Sequence, residues 1–189
     1  MSTSLAWDER YASGGFQFGE APNRYLEELR PWLAPGMRAL ALGDGEGRNG
    51  AWLAGQGLVV TSLDWSPVGM AKAERLAEAR GVSMRTVVAD AAAWDYPAAG
   101  FDLVAWIYLH LPPADRAAAA RGVLRTLAPG GLLALECFTP AQQPAGCERP
   151  QHAARGGGAV GGREVEIDPG DAIEPGFRVS PGGWPRHAA

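Results

Sequence analysis

Cysteine is scarce in this chain. Cys137 and Cys147 are the only two in 189 residues, too few for a disulfide framework or a four-cysteine zinc site. A reducing cytoplasm is the expected location. Lysine is scarcer still: sixteen of the seventeen Lys and Arg residues are arginine, leaving Lys72 as the one candidate for any reaction that needs a catalytic lysine. Of three histidines, only His110 falls in the first 140 residues. No Cys, His and Asp cluster has metal-ligand spacing, so no metal is expected. No apolar run approaches the roughly 20 residues of a membrane span. Residues 1–10 lack a basic stretch followed by an apolar one, so no signal peptide is expected. The net charge of −4 argues against broad binding to a phosphate backbone. Neither nucleic acid nor membrane is an expected partner. Oligomeric state is not legible.

What is present divides near Pro140. All eighteen leucines lie before it, the last being Leu135. Residues 141–189 hold ten glycines and six prolines, a composition that seldom supports a packed core. The expected organisation is a folded domain over 1–140 and a Gly/Pro-rich, poorly ordered tail over 141–189. Within the first part, apolar runs at 39–42, 58–63, 84–88, 101–107 and 132–138 read as strands. Between them lie helical stretches over 67–80 and 114–127, another carrying Trp52 and Leu53, and a leading one from Pro22 through Tyr25, Leu26, Leu29 and Trp32. Pro129-Gly130-Gly131 reads as the turn into the fifth strand. Strands alternating with helices predict an α/β fold. The expected form is a Rossmann-like, three-layer αβα sandwich with a mostly parallel sheet and terminal strands missing or irregular. Ligands of such sheets sit at the carboxyl ends of the strands. The loops after Leu42, Leu63, Val88 and Ile107 should form the site.

The loop after the first strand admits two readings. Gly45-x-Gly47-x-x-Gly50 fits the dinucleotide fingerprint, with Asp64 nineteen residues after Gly45. Gly43-x-Gly45-x-Gly47 fits equally the tighter loop of S-adenosylmethionine (SAM) enzymes. Charge separates them. Asp44 and Glu46 lie inside the loop, with Asp64 and Asp90 on neighbouring strand ends. A pyrophosphate there would meet like charges, whereas the sulfonium and ammonium of SAM suit an acidic mouth. The Tyr-x-x-x-Lys pair of common short-chain reductases is also missing, since Val68 stands four residues before Lys72.

The motifs in order are Leu40-Ala-Leu-Gly-Asp-Gly-Glu-Gly-Arg-Asn49, Val60-Thr-Ser-Leu-Asp-Trp-Ser-Pro67, Val88-Ala-Asp-Ala91, Phe101-Asp-Leu-Val104 and Leu127-Ala-Pro-Gly-Gly131. Together they resemble the set of class I SAM-dependent methyltransferases. Trp7-Asp-Glu-Arg-Tyr11 and Gly19-Glu-Ala-Pro-Asn23 are similar to the leading motif of the small tellurite-resistance/thiopurine-type branch. The resemblance implies a cytoplasmic transferase with SAM as cofactor, methylating a small-molecule substrate. It implies backbone at Gly43, Gly45 and Gly47 against the methionine part of SAM and Asp64 on the ribose hydroxyls. Asp90 and Ala91 would address the adenine edge, Trp65 would lie beside the adenine face, and Asp102 would support the site from the fourth strand. One departure stands out: the acid the family places two residues before the first loop glycine is Ala41 here. Asp44, inside the loop, is the candidate to compensate.

Methyl transfer is an in-line displacement, so alignment matters more than acid–base help. If a base is required, His110 is the first candidate and Tyr11 the second, with Tyr108 and Glu136 behind them. Thiol, selenol or tellurol acceptors would need no strong base. In such families two further strands, often an antiparallel hairpin, finish the sheet; 165–167 and 177–179 are the short candidates. The tail composition resembles a reading frame translated out of register, which would leave the fifth strand an open edge. Two other functions stay open: an NAD(P)-dependent oxidoreductase on a similar fold, and a non-catalytic SAM-binding protein.

Overall fold

A computed structural model describes residues 4–137 and the strand residues 178–179. The strands are β1 Arg38–Leu42, β2 Val59–Asp64, β3 Arg85–Val88, β4 Phe101–Ile107, β5 Leu127–Glu136 and β6 Arg178–Val179. They form one sheet in the order β3-β2-β1-β4-β5-β6, and every pairing is parallel. The helices are α1 Ser4–Tyr11, α2 Arg24–Glu28, α3 Arg48–Gly55, α4 Pro67–Ala79 and α5 Pro113–Thr126.

The apolar runs form central strands because both sheet faces are covered. Alternate residues go to opposite cores. Ala39, Leu103, Ala105, Ile107 and Ala134 pack with Leu26, Leu29, Trp52 and Leu53 on one face. Leu40, Leu42, Val104, Trp106 and Leu133 pack with Ala119 and Val123 of α5 on the other. This is the expected αβα sandwich. Register brings the carboxyl ends level: Leu42 lies opposite Leu63 and Trp106, and Asp64 opposite Val88.

Four details differ from the sequence expectation. The leading segment opens with α1, whose sequence has little amphipathic pattern. The helix expected from Pro22 through Trp32 is capped by Asn23, whose side chain accepts from the Tyr25 amide at 2.8 Å. It closes at Glu28, and a 3-10 turn, Arg30–Trp32, follows. Pro31 has no N–H to continue the α pattern. Pro129-Gly130-Gly131 is a bulge within β5 rather than a turn before it: Phe101 pairs with Leu127, but Leu103 already pairs with Leu132. Finally, β6 lies parallel to Leu132 and Leu133, so β5 is partly covered, and not by an antiparallel strand. The candidate strand at 165–167 and most of the tail lie outside the described residues.

Candidate functional site

The loops after β1, β2, β3 and β4 converge at one end of the sheet, as the switch between β1 and β4 requires. Gly43, Gly45 and Gly47 all have positive φ, at 65°, 59° and 85°. The loop starts by donating from the Gly43 and Asp44 amides to the Leu63 carbonyl at 2.8 and 3.2 Å. It ends at Gly47, which begins α3 without a side chain to cap the helix.

Asp44 fills that gap. Its carboxylate accepts from the Gly50 amide at 3.0 Å and from the Ser62 hydroxyl at 2.7 Å, satisfying a helix N–H that would otherwise be orphaned. Burial pushes its carboxyl up to about 7, against the pull of those two hydrogen bonds. Glu46 also turns inward, pairing with Lys72 at 2.7 Å. Ala41 is buried in β1. The two acids inside the loop are therefore engaged within the protein, and the acidity expected of the mouth narrows to Asp64 and Asp90.

Asp64 closes β2. Its two carboxylate oxygens accept from the Gly45 and Ser66 amides, both at 3.0 Å. Burial raises its pKa, with the hydrogen bonds opposing. The carboxylate keeps lone-pair capacity for a further donor. Trp65 follows, half-buried, and Asp90 lies exposed after β3 with Ala91 buried beside it. Asp90 accepts from the Ala92 amide at 2.8 Å. Strand ends thus bring Asp64, Trp65, Asp90 and Ala91 to the same edge as the glycine loop.

Tyr11 comes from the far end of the sequence to the same place. A side chain on Gly45 would start 2.5 Å from its hydroxyl. Burial raises the Tyr11 pKa, reinforced by Asp64, Glu46 and Asp44, so the phenol stays protonated and can donate. The helix carrying it is tied to α4 by Asp8, which accepts from the Ser66 hydroxyl and the Val68 amide. The β4 loop covers the other side. Leu109 packs on Gly43 and its carbonyl accepts from the Trp106 indole at 3.0 Å. Tyr108 has φ 53°, and its amide donates to the carbonyl of Glu136 at 2.8 Å. His110 is exposed, its ring 6.3 Å from that of Tyr108, and partial burial lowers its pKa.

Asp102 is not at this site. It stands at the amino end of β4, accepting from the Arg38 amide at 2.8 Å and pairing with its guanidinium at 2.9 Å. A motif position shows which strand a residue is on, and here β4 starts at Phe101 and reaches the loops only at Ile107, so Asp102 sits at the far end. Asp8, Arg48 and Asn49, which hold the leading segment to the site, carried no assigned role in the sequence, and Glu46 was read as an acid of the mouth rather than as the partner of Lys72. Among the described residues no group of three or more His, Cys, Asp or Glu could hold a metal. No described helix is long and apolar enough to cross a membrane.

Residues 39–131 match a family model described as a methyltransferase domain. Over 140 residues the chain is 36% identical to a demethylmenaquinone methyltransferase of Thermus thermophilus, covering 74% of this chain. It spans only 57% of that relative's length. Among solved structures it is similar to the phosphoethanolamine N-methyltransferase 2 of Haemonchus contortus in complex with SAM. That likeness has 25% identity and a TM-score of 0.53, over 69% of this chain and 32% of the other. The (4+2)-cyclase SpnF is also similar, at 31% identity and a TM-score of 0.52, over 57% of this chain and 42% of the other. These similarities agree with the class expected from the ordered motifs, and the oxidoreductase reading is not favoured.

Proposed function

We propose that the methyltransferase domain binds SAM across the glycine loop and transfers its methyl group to a small-molecule nucleophile. The observation that carries this reading is the convergence of Asp64, Asp90 and the glycine loop at the carboxyl ends of β1–β3. Two carboxylates at adjacent strand ends suit a nucleoside that offers ribose hydroxyls and an amino group. In this reading Asp64 accepts from the ribose hydroxyls, Asp90 and the Ala91 backbone address the adenine edge, and Trp65 lies beside its face. Backbone at Gly43 and Gly45 approaches the methionine part, and Tyr11 donates there from its protonated hydroxyl. Gly47 serves the start of α3 and its packing on α4. SAM supplies a methyl group on a positive sulfur; the protein supplies alignment and keeps water out.

The acceptor enters from the β4 side, where Tyr108 and His110 stand. Partial burial lowers the pKa of His110, which favours the neutral imidazole that takes a proton from a protonated nucleophile. We read the tellurite-resistance/thiopurine-type branch from the motifs at 7–11 and 19–23, which favours a soft chalcogen acceptor. The similarity to a demethylmenaquinone methyltransferase favours a quinol. The test is transfer of labelled methyl from SAM to a thiol panel and to a demethylmenaquinone-type quinol. His110→Ala should lower turnover on the quinol by about 10²-fold or more, with little effect on thiols presented as thiolates or on SAM affinity. Equal loss on both acceptors would remove His110 from proton transfer. The SpnF likeness shows that a similar fold serves other chemistry, so SAM binding with no methyl transferred to any acceptor would favour a non-catalytic role.

A further inference from the structure

The only lysine of the chain is buried, and it is spent on the backbone of the leading segment. Lys72 lies in the second turn of α4, 9% exposed. Its ammonium donates to the Ser13 carbonyl at 2.9 Å, the Gly15 carbonyl at 2.6 Å and Glu46 Oε1 at 2.7 Å, which uses all three of its donors. The other oxygen of Glu46 accepts from the Gln17 amide at 2.6 Å. The Phe16 ring lies 5.7 Å from Nζ. One ion pair thus joins α4, the glycine loop and residues 13–17. The motif residues beside Glu46 grip the same segment: Arg48 donates to the Phe18 carbonyl at 3.1 Å, and Asn49 accepts from the Asn23 amide at 2.9 Å. Arg80 adds a bond to the Glu20 carbonyl at 2.6 Å.

We infer that Lys72 and Glu46 are positioning residues of the cofactor site, latching residues 13–17 across the glycine loop so that Tyr11 is held over Gly45. Neither acts on the reacting atoms. The segment they hold contains Gly14 and Gly15 and no regular structure over 12–23, so its course costs conformational entropy that neighbouring helices do not offset. An ammonium with three fixed acceptors specifies one path for it. A buried ion pair is weak evidence for stability, because apolar replacements often do as well. Here its distinctive effect is geometric. The inference rests on the reading of the glycine loop as the SAM site.

The test uses the full chain and S-adenosylhomocysteine as the probe. Lys72→Met/Glu46→Gln removes both charges together, so no lone charge is left buried. Calorimetry should show the dissociation constant rising about tenfold or more, a change of about 1.4 kcal/mol or above. Amide exchange over residues 11–19 should quicken about tenfold while β1 and β4 keep their protection. If the double variant does not fold, Lys72→Arg replaces it; a planar guanidinium cannot meet three acceptors that converge on one point, and a smaller shift in the same direction is expected. A dissociation constant within about twofold of wild type, or exchange that quickens equally in β1 and β4, overturns the latch. Asp64→Asn is the control. If it weakens binding while the latch variant does not, only the latch falls; if Asp64→Asn binds normally, the loop reading falls and the inference with it.

Discussion

Asp44 lies in the glycine loop and Asp64, twenty residues on, ends β2 against it, yet they have different work. Asp64 presents a carboxylate whose oxygens are half-satisfied by the Gly45 and Ser66 amides. Asp64→Asn should weaken S-adenosylhomocysteine binding about tenfold or more, because charge-assisted bonds to two hydroxyls are each worth about 1.5–3 kcal/mol. Calorimetry on a variant with an unchanged circular dichroism spectrum checks this. Asp44 instead holds the loop to α3. Its carboxyl rises to about 7 in the folded protein from a model-peptide value of 3.8, so folding takes up a proton between those limits. A raised acid pKa favours the fold at low pH, and that contribution fades as pH climbs from about 4 to about 7. Relative to Asp44→Asn, which does not titrate, the wild type should lose urea resistance across that window and level off above it. A difference that stays constant with pH would mean Asp44 titrates alike in both states.

At the scale of elements, the closeness of α3 and α4 is set by Gly47. A side chain there would start 2.6 Å from the Ala73 Cα, on backbone that cannot give way, at a φ of 85°. Gly47→Ala should therefore cost about 2–4 kcal/mol from overpacking and left-handed strain together, read as a lower urea midpoint. The helix α1 shows the reverse dependence. Little in its own sequence makes it amphipathic, and its place comes from Asp8 on the start of α4 and from Tyr11 over the loop. The β5 bulge is a third case: the Pro-Gly-Gly run was legible as a break, but only pairing with β4 decides that a break becomes a bulge.

For the whole molecule, the proposed site draws on residues from Tyr11 to His110, so a bound cofactor should stabilise the fold as a unit. SAM or S-adenosylhomocysteine at 100 times its dissociation constant contributes about 2.7 kcal/mol, which corresponds to a melting shift of about 5–10 °C for a chain of this size. NADH at the same concentration should leave the melting point where it is. A shift with NADH and none with either SAM or S-adenosylhomocysteine would return the glycine loop to the dinucleotide reading.

Near-continuous apolar runs such as 39–42 and 101–107 were enough to place the strands, because a strand buried on both faces reads as apolar almost throughout. Glycine spacing and the acids ending β2 and β3 were enough to place the candidate site, because parallel strands deliver their carboxyl ends to one edge. Side-chain direction was beyond the sequence. Asp44 and Glu46 read as open acids of the loop, and packing turned both inward, one to cap α3 and one to meet Lys72. The course of residues 12–23 was equally hidden, since the bonds that tie it to the sheet-covering helices and the glycine loop run to partners 26 to 60 positions away. Local pattern decides which residues form a strand or a turn; only the folded arrangement decides which charges face each other once water is excluded.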